Sequence, residues 1–160
     1  MFEADVLDVP VQHASMESRA TPGSDPTSVL AAADLLLPYR SESVAAARRF
    51  VGAQLQEWGL EDLVDDAVVI VSELTTNSLK TGCRTRMLVG VRRPTGRTVR
   101  ILVGDGSRSM PVVIQAGPDA TSGRGLAMVH RLTCGRWGVT LLPFGKVVHA
   151  DLATPPPIPR

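Results

Sequence analysis

Several features that mark specialised classes of protein are missing from this sequence. Its two cysteines, Cys83 and Cys134, lie far apart and form no CxxC pair, which favours reduced thiols in a reducing cytosol over a disulfide framework. The three histidines have no ligand spacing with these cysteines, which argues against a zinc site. The formal net charge is +1, so bulk charge indicates neither nucleic acid nor an acidic surface as a partner.

Long hydrophobic stretches are also absent. No apolar run reaches the roughly 20 residues that a membrane-spanning helix needs. The first eleven residues carry Glu3, Asp5 and Asp8, and they have neither the basic start nor the apolar stretch of a secretory signal. We therefore expect a cytoplasmic protein that has no membrane partner.

The composition is that of an ordinary globular chain. With 160 residues, 44% of them hydrophobic and 21% charged, the sequence can bury a core of its own. Residues 1–28 are rich in small and polar residues without periodicity and predict a flexible leader, with one possible short strand at 5–11. Residues 29–152 form the predicted domain, and 153–160 form a proline-rich tail.

Hydrophobic periodicity predicts three helices and five strands. The first helix is capped by Ser41 or Ser43 and stopped by Gly59, and the second covers about 62–80. The predicted strands are 35–37, 85–92, 98–103, 137–142 and 147–152, with the third helix opening after the segment 123–125. Strands paired as hairpins argue against a Rossmann sheet. They favour an α+β sandwich with helices on one face of a mixed, mostly antiparallel sheet.

The second helix is apolar over most of its surface but carries one polar stripe. Asp66, Ile70, Glu73, Asn77 and Lys80 recur at spacings of three and four residues. The simplest interpretation is a solvated face. The functional alternative is that the asparagine amide oxygen binds Mg²⁺, the glutamate accepts a proton from a group attacking a γ-phosphate, and the lysine contacts a phosphate.

A second polar signal stands where an apolar strand ends. Residues 101–104 lead into Asp105, and Gly106 and Ser107 follow. An Asp-Gly pair is common in turns, which is the simplest explanation. The functional alternative is that the carboxylate accepts a hydrogen bond from the amino group of a base, while the small residues leave room for a purine ring.

The third signal is a glycine pair at the start of a helix. Gly123, Arg124 and Gly125 precede Leu126 and the rest of the third predicted helix. This pattern fits a plain glycine-rich helix start. It also fits an anion site, because free amide groups and the helix dipole attract a phosphate that glycine allows to approach closely.

These three segments resemble, in order and spacing, the conserved boxes of the histidine-kinase-like (GHKL) ATPases. Residues 73–80 look like the N box, 103–107 like the first glycine box and 123–129 like the second. Over roughly 35–152 the chain is similar to small single-domain anti-sigma regulatory factor serine/threonine kinases.

The resemblance implies a Bergerat-type two-layer sandwich that holds ATP and Mg²⁺ under a lid formed by about 109–122. Glu73 would be the general base, Asn77 the Mg²⁺ ligand, and Asp105 the acceptor of the adenine amino group. The implied ATP-binding residues are Asn77, Lys80, Asp105, Ser107, Gly123, Arg124, Gly125 and Leu126.

The sequence also departs from the pattern of the family. Ser107 and Ser109 stand where the first glycine box has glycines, and Thr81 stands where many relatives carry an aromatic residue or histidine. Val147 occupies the position at which we expect a threonine near the adenine. These changes predict a lower nucleotide affinity within an unchanged fold.

The resemblance implies a regulator of transcription that binds a sigma factor and phosphorylates a serine of an antagonist protein, and related regulators lead us to expect a homodimer. The alternative is a module of the same fold that has little or no turnover and acts by sequestering its partner. A fragment of a gyrase-like ATPase is the least favoured of the three, because nothing in the chain resembles a transducer domain.

Overall fold

Two layers make up the part of the chain that the structure, a computed structural model, describes: residues 31–82, 86–111, 125–156 and 158–159. One layer is a sheet of five strands and the other contains three α-helices. The strands are β1 (Ala31–Leu37), β2 (Met87–Thr95), β3 (Thr98–Asp105), β4 (Trp137–Leu142) and β5 (Gly145–Ala153). The helices are α1 (Glu42–Glu57), α2 (Val64–Lys80) and α3 (Gly125–Leu132), and a 3₁₀ turn at Glu61–Leu63 leads into α2.

The sheet has the strand order β1-β2-β3-β5-β4, and each neighbouring pair is antiparallel. The predicted α+β sandwich is therefore confirmed. Hairpins join β2 to β3 and β4 to β5, as the sequence predicts. The crossover through α3 places β5 beside β3. The carboxyl end of β3 therefore lies next to the amino end of β5.

The hydrophobic core lies between the sheet and the helices. Side chains alternate along each strand, so Val99, Ile101 and Val103 of β3 all point toward the helices and are buried. Helix α2 packs on α1, on α3 and on the two central strands β3 and β5. This central position explains why most of its surface is apolar.

The ends of several elements differ from the prediction. Strand β1 begins at Ala31 because it pairs with β2 over its whole length, although the alanines there give no clear strand signal. Ser41 is the N-cap of α1 without a capping hydrogen bond, and Ser43 donates instead from Oγ to the carbonyl of Pro38 at 2.6 Å. Gly59 has a φ of +68°, which only glycine adopts readily, and α1 stops just before it as predicted.

Two further points concern the limits of the domain. The possible strand at 5–11 lies outside the described residues, as does the rest of the leader. Among the helices that the structure describes, none has the length and apolarity that a bilayer crossing requires.

Candidate functional site

The polar stripe on α2 is shorter than the sequence predicts. Ile70 is fully buried in the core, and Asp66 is exposed near the start of the helix. Lys80 is exposed at the last position of α2. Glu73 and Asn77 remain, one turn apart and both half-buried. These two side chains therefore are the part of the predicted stripe that remains half-buried in the middle of the helix.

The beginning of α3 lies directly against Glu73. A Cβ atom added to Gly125 would collide with the Glu73 carboxylate oxygen Oε2 and would lie 3.0 Å from its Cδ. A larger residue at this position would force the end of the flexible Glu73 side chain to move, so glycine lets the start of α3 and the carboxylate lie in direct contact. A carboxylate is also favourably placed near the positive end of a helix dipole. The fold thus brings the predicted catalytic residue to the predicted phosphate-binding helix start.

The other predicted residues of this segment either lie outside the described residues or belong to the core. Gly123 and Arg124 lie outside the described residues, as does the lid segment beyond residue 111. Leu126 is 4% exposed and its side chain belongs to the hydrophobic core. Its side chain therefore faces the protein interior, so any contact with a nucleotide would come from its backbone.

At the end of β3, Asp105 is buried and already paired. It is 2% exposed, and the ammonium nitrogen of Lys146 lies 2.9 Å from its Oδ1 and 3.1 Å from its Oδ2. Asp105 and Lys146 are direct cross-strand neighbours in the β3–β5 register. Lys146 is 3% exposed, so the ion pair lies in the interior of the protein, facing the helices.

The hydrogen bonds of this pair are almost complete. Lys146 donates to both oxygens of Asp105, in a hydrogen bond shared between the two atoms of one carboxylate, and to the carbonyl of Ser107 at 3.2 Å. Asp105 Oδ1 also accepts from the backbone N–H of Ser107 at 2.8 Å. Within the described residues, one acceptor position on Oδ2 is left over.

Ser107 shapes the loop after β3 through its hydroxyl. The backbone N–H of Ser109 donates to Ser107 Oγ at 3.2 Å. The serine that replaces a glycine of the expected box thus supports a local turn. Together with the bond from its own N–H to Asp105, it ties the loop to the buried carboxylate.

The interpretation of Val147 is wrong. Alternation along β5 places Val147 on the outer face of the sheet, where its Cγ2 would lie 3.6 Å from a Cβ on its cross-strand neighbour Gly104. Lys146 is the residue of this hairpin that lies beside Asp105. Sequence reasoning missed it, although one signal was present: Lys146 shares its strand face with Val148, Ala150 and Leu152, which are all buried.

Comparison with known proteins agrees with this arrangement. The profile of the histidine kinase-like ATPase domain family matches residues 37–134, which is more than half of the chain. The chain therefore belongs to that family. The matched range includes α2, β3 and α3 and with them Glu73, Asn77, Asp105 and Gly125, whereas Lys146 and Val147 lie beyond it. A search of curated proteins found no match.

Membership of this family supports ATP and Mg²⁺ as ligands at the level of the family. The half of the site around Glu73, Asn77 and Gly125 fits such a group, since it offers a carboxylate, an amide oxygen and a helix start at which glycine lies directly against the carboxylate. No cluster of three His, Cys, Asp or Glu side chains among the described residues could hold a metal ion alone. A Mg²⁺ ion at Asn77 would therefore take its other ligands from phosphate and water. The half around Asp105 fits less well, because a lysine already holds the carboxylate.

Proposed function

We propose that this chain binds ATP with Mg²⁺ between α2 and the segment that connects β3 to α3, and that it transfers the γ-phosphate to a serine of a partner protein. The observation that carries the proposal is the approach of Gly125 to the Glu73 carboxylate, within a chain that belongs to the histidine kinase-like ATPase family. This contact brings Glu73, the proposed general base, to the start of α3, where phosphates would bind.

Three polar residues of α2 have a role in this proposal. Glu73 accepts the proton of the attacking serine hydroxyl or water, since a positioned carboxylate is a suitable general base. Asn77 supplies a neutral oxygen ligand to Mg²⁺, one turn farther along the same helix face. Lys80, exposed at the end of α2, offers a mobile positive charge to the phosphates. Bound ATP supplies the phosphoryl group.

The proposed partners follow from the resemblance to anti-sigma regulatory kinases. The chain would bind and release a sigma factor. The serine that it phosphorylates would belong to a second protein, which antagonises the anti-sigma activity. We also propose a homodimer, since β1 and β4 form the two edges of the described sheet and an edge strand can pair with a second copy. Light scattering at tens of micromolar checks this last point, and a monomeric mass would contradict it.

A second candidate function is supported by the Asp105–Lys146 pair. A module of the same fold could act by sequestering its partner, without turnover. A carboxylate already held by an ammonium at 2.9 Å is a poorer acceptor for a base, which lowers the expected nucleotide affinity. The two functions differ in whether Mg²⁺-ATP binds saturably and is turned over.

Calorimetric titration with ATP, in the presence and absence of Mg²⁺, tests the binding step. Asn77→Ala should weaken Mg²⁺-ATP binding and leave metal-free binding nearly unchanged, because it removes the metal ligand. Absence of any saturable nucleotide binding would reject the ATP-dependent function and leave the sequestering module.

Phosphate release from ATP tests the catalytic step. Glu73→Gln removes basicity with little change in shape, so turnover should fall by about 10²–10⁴-fold while ATP still binds. Asp65→Asn is the matched control, since it makes the same chemical change at an exposed position in the first turn of α2. Full turnover in Glu73→Gln would exclude Glu73 as the base.

A further inference from the structure

We propose that Lys146 determines base specificity by competing with the nucleotide base for Asp105, so that the site does not favour adenine over a purine with an oxygen at position 6. The inference rests on the proposed binding of ATP and identifies a residue that neither the family match nor the sequence motifs assign. It concerns the base-binding half of the site, whereas the proposed function concerns the phosphate half.

The competition follows from the types of hydrogen-bonding groups involved. The amino group at position 6 of adenine is a donor, and so is the ammonium of Lys146. Both need the same acceptor, the Asp105 carboxylate, and the ammonium already occupies both of its oxygens at 2.9 and 3.1 Å. An adenine must use the single acceptor position left on Oδ2 or displace the lysine.

The lysine is held firmly in this position. Its backbone is fixed in the β3–β5 ladder opposite Asp105, and its side chain is only 4% exposed. It also donates to the carbonyl of Ser107. Displacement would leave a buried ammonium without its hydrogen bonds to Asp105 and Ser107, which is energetically costly.

The charge of the pair also affects which base the site accepts. An ammonium beside the carboxylate repels a second donor but attracts a carbonyl oxygen. A 6-oxo purine presents such an oxygen together with a protonated N1, which can donate to the free position on Asp105 Oδ2. The pair Asp105–Lys146 can therefore satisfy a 6-oxo base at least as well as adenine.

A comparison of ATP with inosine triphosphate isolates this effect, since the two differ at position 6 and in the resulting protonation of N1. Calorimetric titrations in Mg²⁺ would measure both affinities for the wild type and for Lys146→Met. We expect the wild type to bind the two nucleotides within about threefold of each other. We expect Lys146→Met to bind ATP at least about tenfold more tightly than the wild type does and to prefer it to inosine triphosphate. The reason is that the adenine amino group can then donate to the charged Asp105 carboxylate.

A matched control uses the second ion pair of the same two strands. Arg100→Met removes the cation that pairs with Asp151 on the outer face of the sheet, and it should change neither affinity. Lys146→Gln keeps a neutral donor beside Asp105. If thermal unfolding shows that Lys146→Met does not fold, Lys146→Gln replaces it in the titrations. This variant should also tighten ATP binding.

The outcomes separate the two proposals. A wild type that prefers ATP by tenfold or more, with no gain in either Lys146 variant, would overturn the role of Lys146 while leaving ATP binding intact. ATP binding by a folded Lys146 variant but not by the wild type would support both. Failure of the wild type and of both folded variants to bind either nucleotide would reject the proposed ATP binding and this inference with it.

Discussion

Strands β3 and β5 carry two cross-strand ion pairs, one on each face of the sheet. Asp105–Lys146 faces the helices, and its side chains are 2% and 4% exposed. Arg100–Asp151 lies on the outer face, where the corresponding side chains are 42% and 20% exposed. The same backbone ladder thus supports one pair inside the candidate site and one at the surface.

The surface pair has the better geometry. Arg100 donates from Nε and Nη2 to the two oxygens of Asp151 at 2.7 and 2.9 Å, a bidentate arrangement. These hydrogen bonds lower the pKa of Asp151 and raise that of Arg100. Solvent nevertheless screens the pair, so the buried pair should matter more when one partner is removed. Burial, more than geometry, is expected to decide the energetic importance of each pair.

The largest expected effect is the loss of stability in Lys146→Met. Removing one partner of a buried pair leaves an uncompensated charge and typically costs about 3–5 kcal/mol. The free energy of unfolding in urea measures it. The double variant Asp105→Asn with Lys146→Met should recover most of the loss, because no buried charge remains. Wild-type stability in the single variant would show that the pair is open to solvent.

The next largest effect is expected at the contact between α2 and α3. Gly125→Ala places a Cβ against the end of the flexible Glu73 side chain, which must turn aside, and should cost about 1 kcal/mol of unfolding free energy, the low end of the range for overpacking. Gly96→Ala is the control, since nothing lies within 4 Å of a Cβ there. This control should change stability by less than about 0.5 kcal/mol. Equal effects at the two positions would refute the tight contact.

A smaller effect is expected from Arg100→Met on the outer face. A partly exposed pair contributes about 0.2–1 kcal/mol, so the free energy of unfolding should fall by no more than that. The loss should also shrink at high salt, unlike that of Lys146→Met. A loss as large as that of Lys146→Met would contradict the contrast between the two faces.

The smallest effect is expected from the titration of His149, on the outer face of β5. Burial lowers its pKa, the charge of Arg100 lowers it further, and Asp151 opposes both. The unfolded chain, with the ordinary pKa of 6.5, therefore binds this proton more readily than the folded protein. Stability should thus decrease as the pH falls through about 6.5, and the unfolding free energy of His149→Gln should depend less on pH over that range. An unchanged pH dependence would argue against burial of the imidazole.

Much of the fold could be predicted because the signals are local. The hairpins, the apolar periodicity of α2 and the stop at Gly59 each depend on residues a few positions apart. The pairing of Asp105 with Lys146 depends instead on the register between β3 and β5, which no local pattern contains. The same reason explains why the sequence draws attention to Val147, while Lys146, the residue before it, is the one that lies beside Asp105.

The contact between Glu73 and Gly125 illustrates the other limit of sequence reasoning. The residue types predict a base and a glycine helix start separately, and only the packing of α2 on α3 shows that they meet. Strand β1 is a further case, since its alanines become a strand only because β2 offers a partner along its full length. Tertiary pairing there overrides weak local propensity.

Alternation along β5 has a consequence for how such a site could change during evolution. The turn at 143–144 has only two residues, so the hairpin has no slack that could absorb a shift of β5. Exchanging the order of Lys146 and Val147 would carry the ammonium from the interior to the outer face without altering the composition of the chain, whereas moving the whole strand by one residue would also turn its core residues outward. A paired and an unpaired Asp105 carboxylate therefore differ by the exchange of two neighbouring residues, with no change in the register of the sheet.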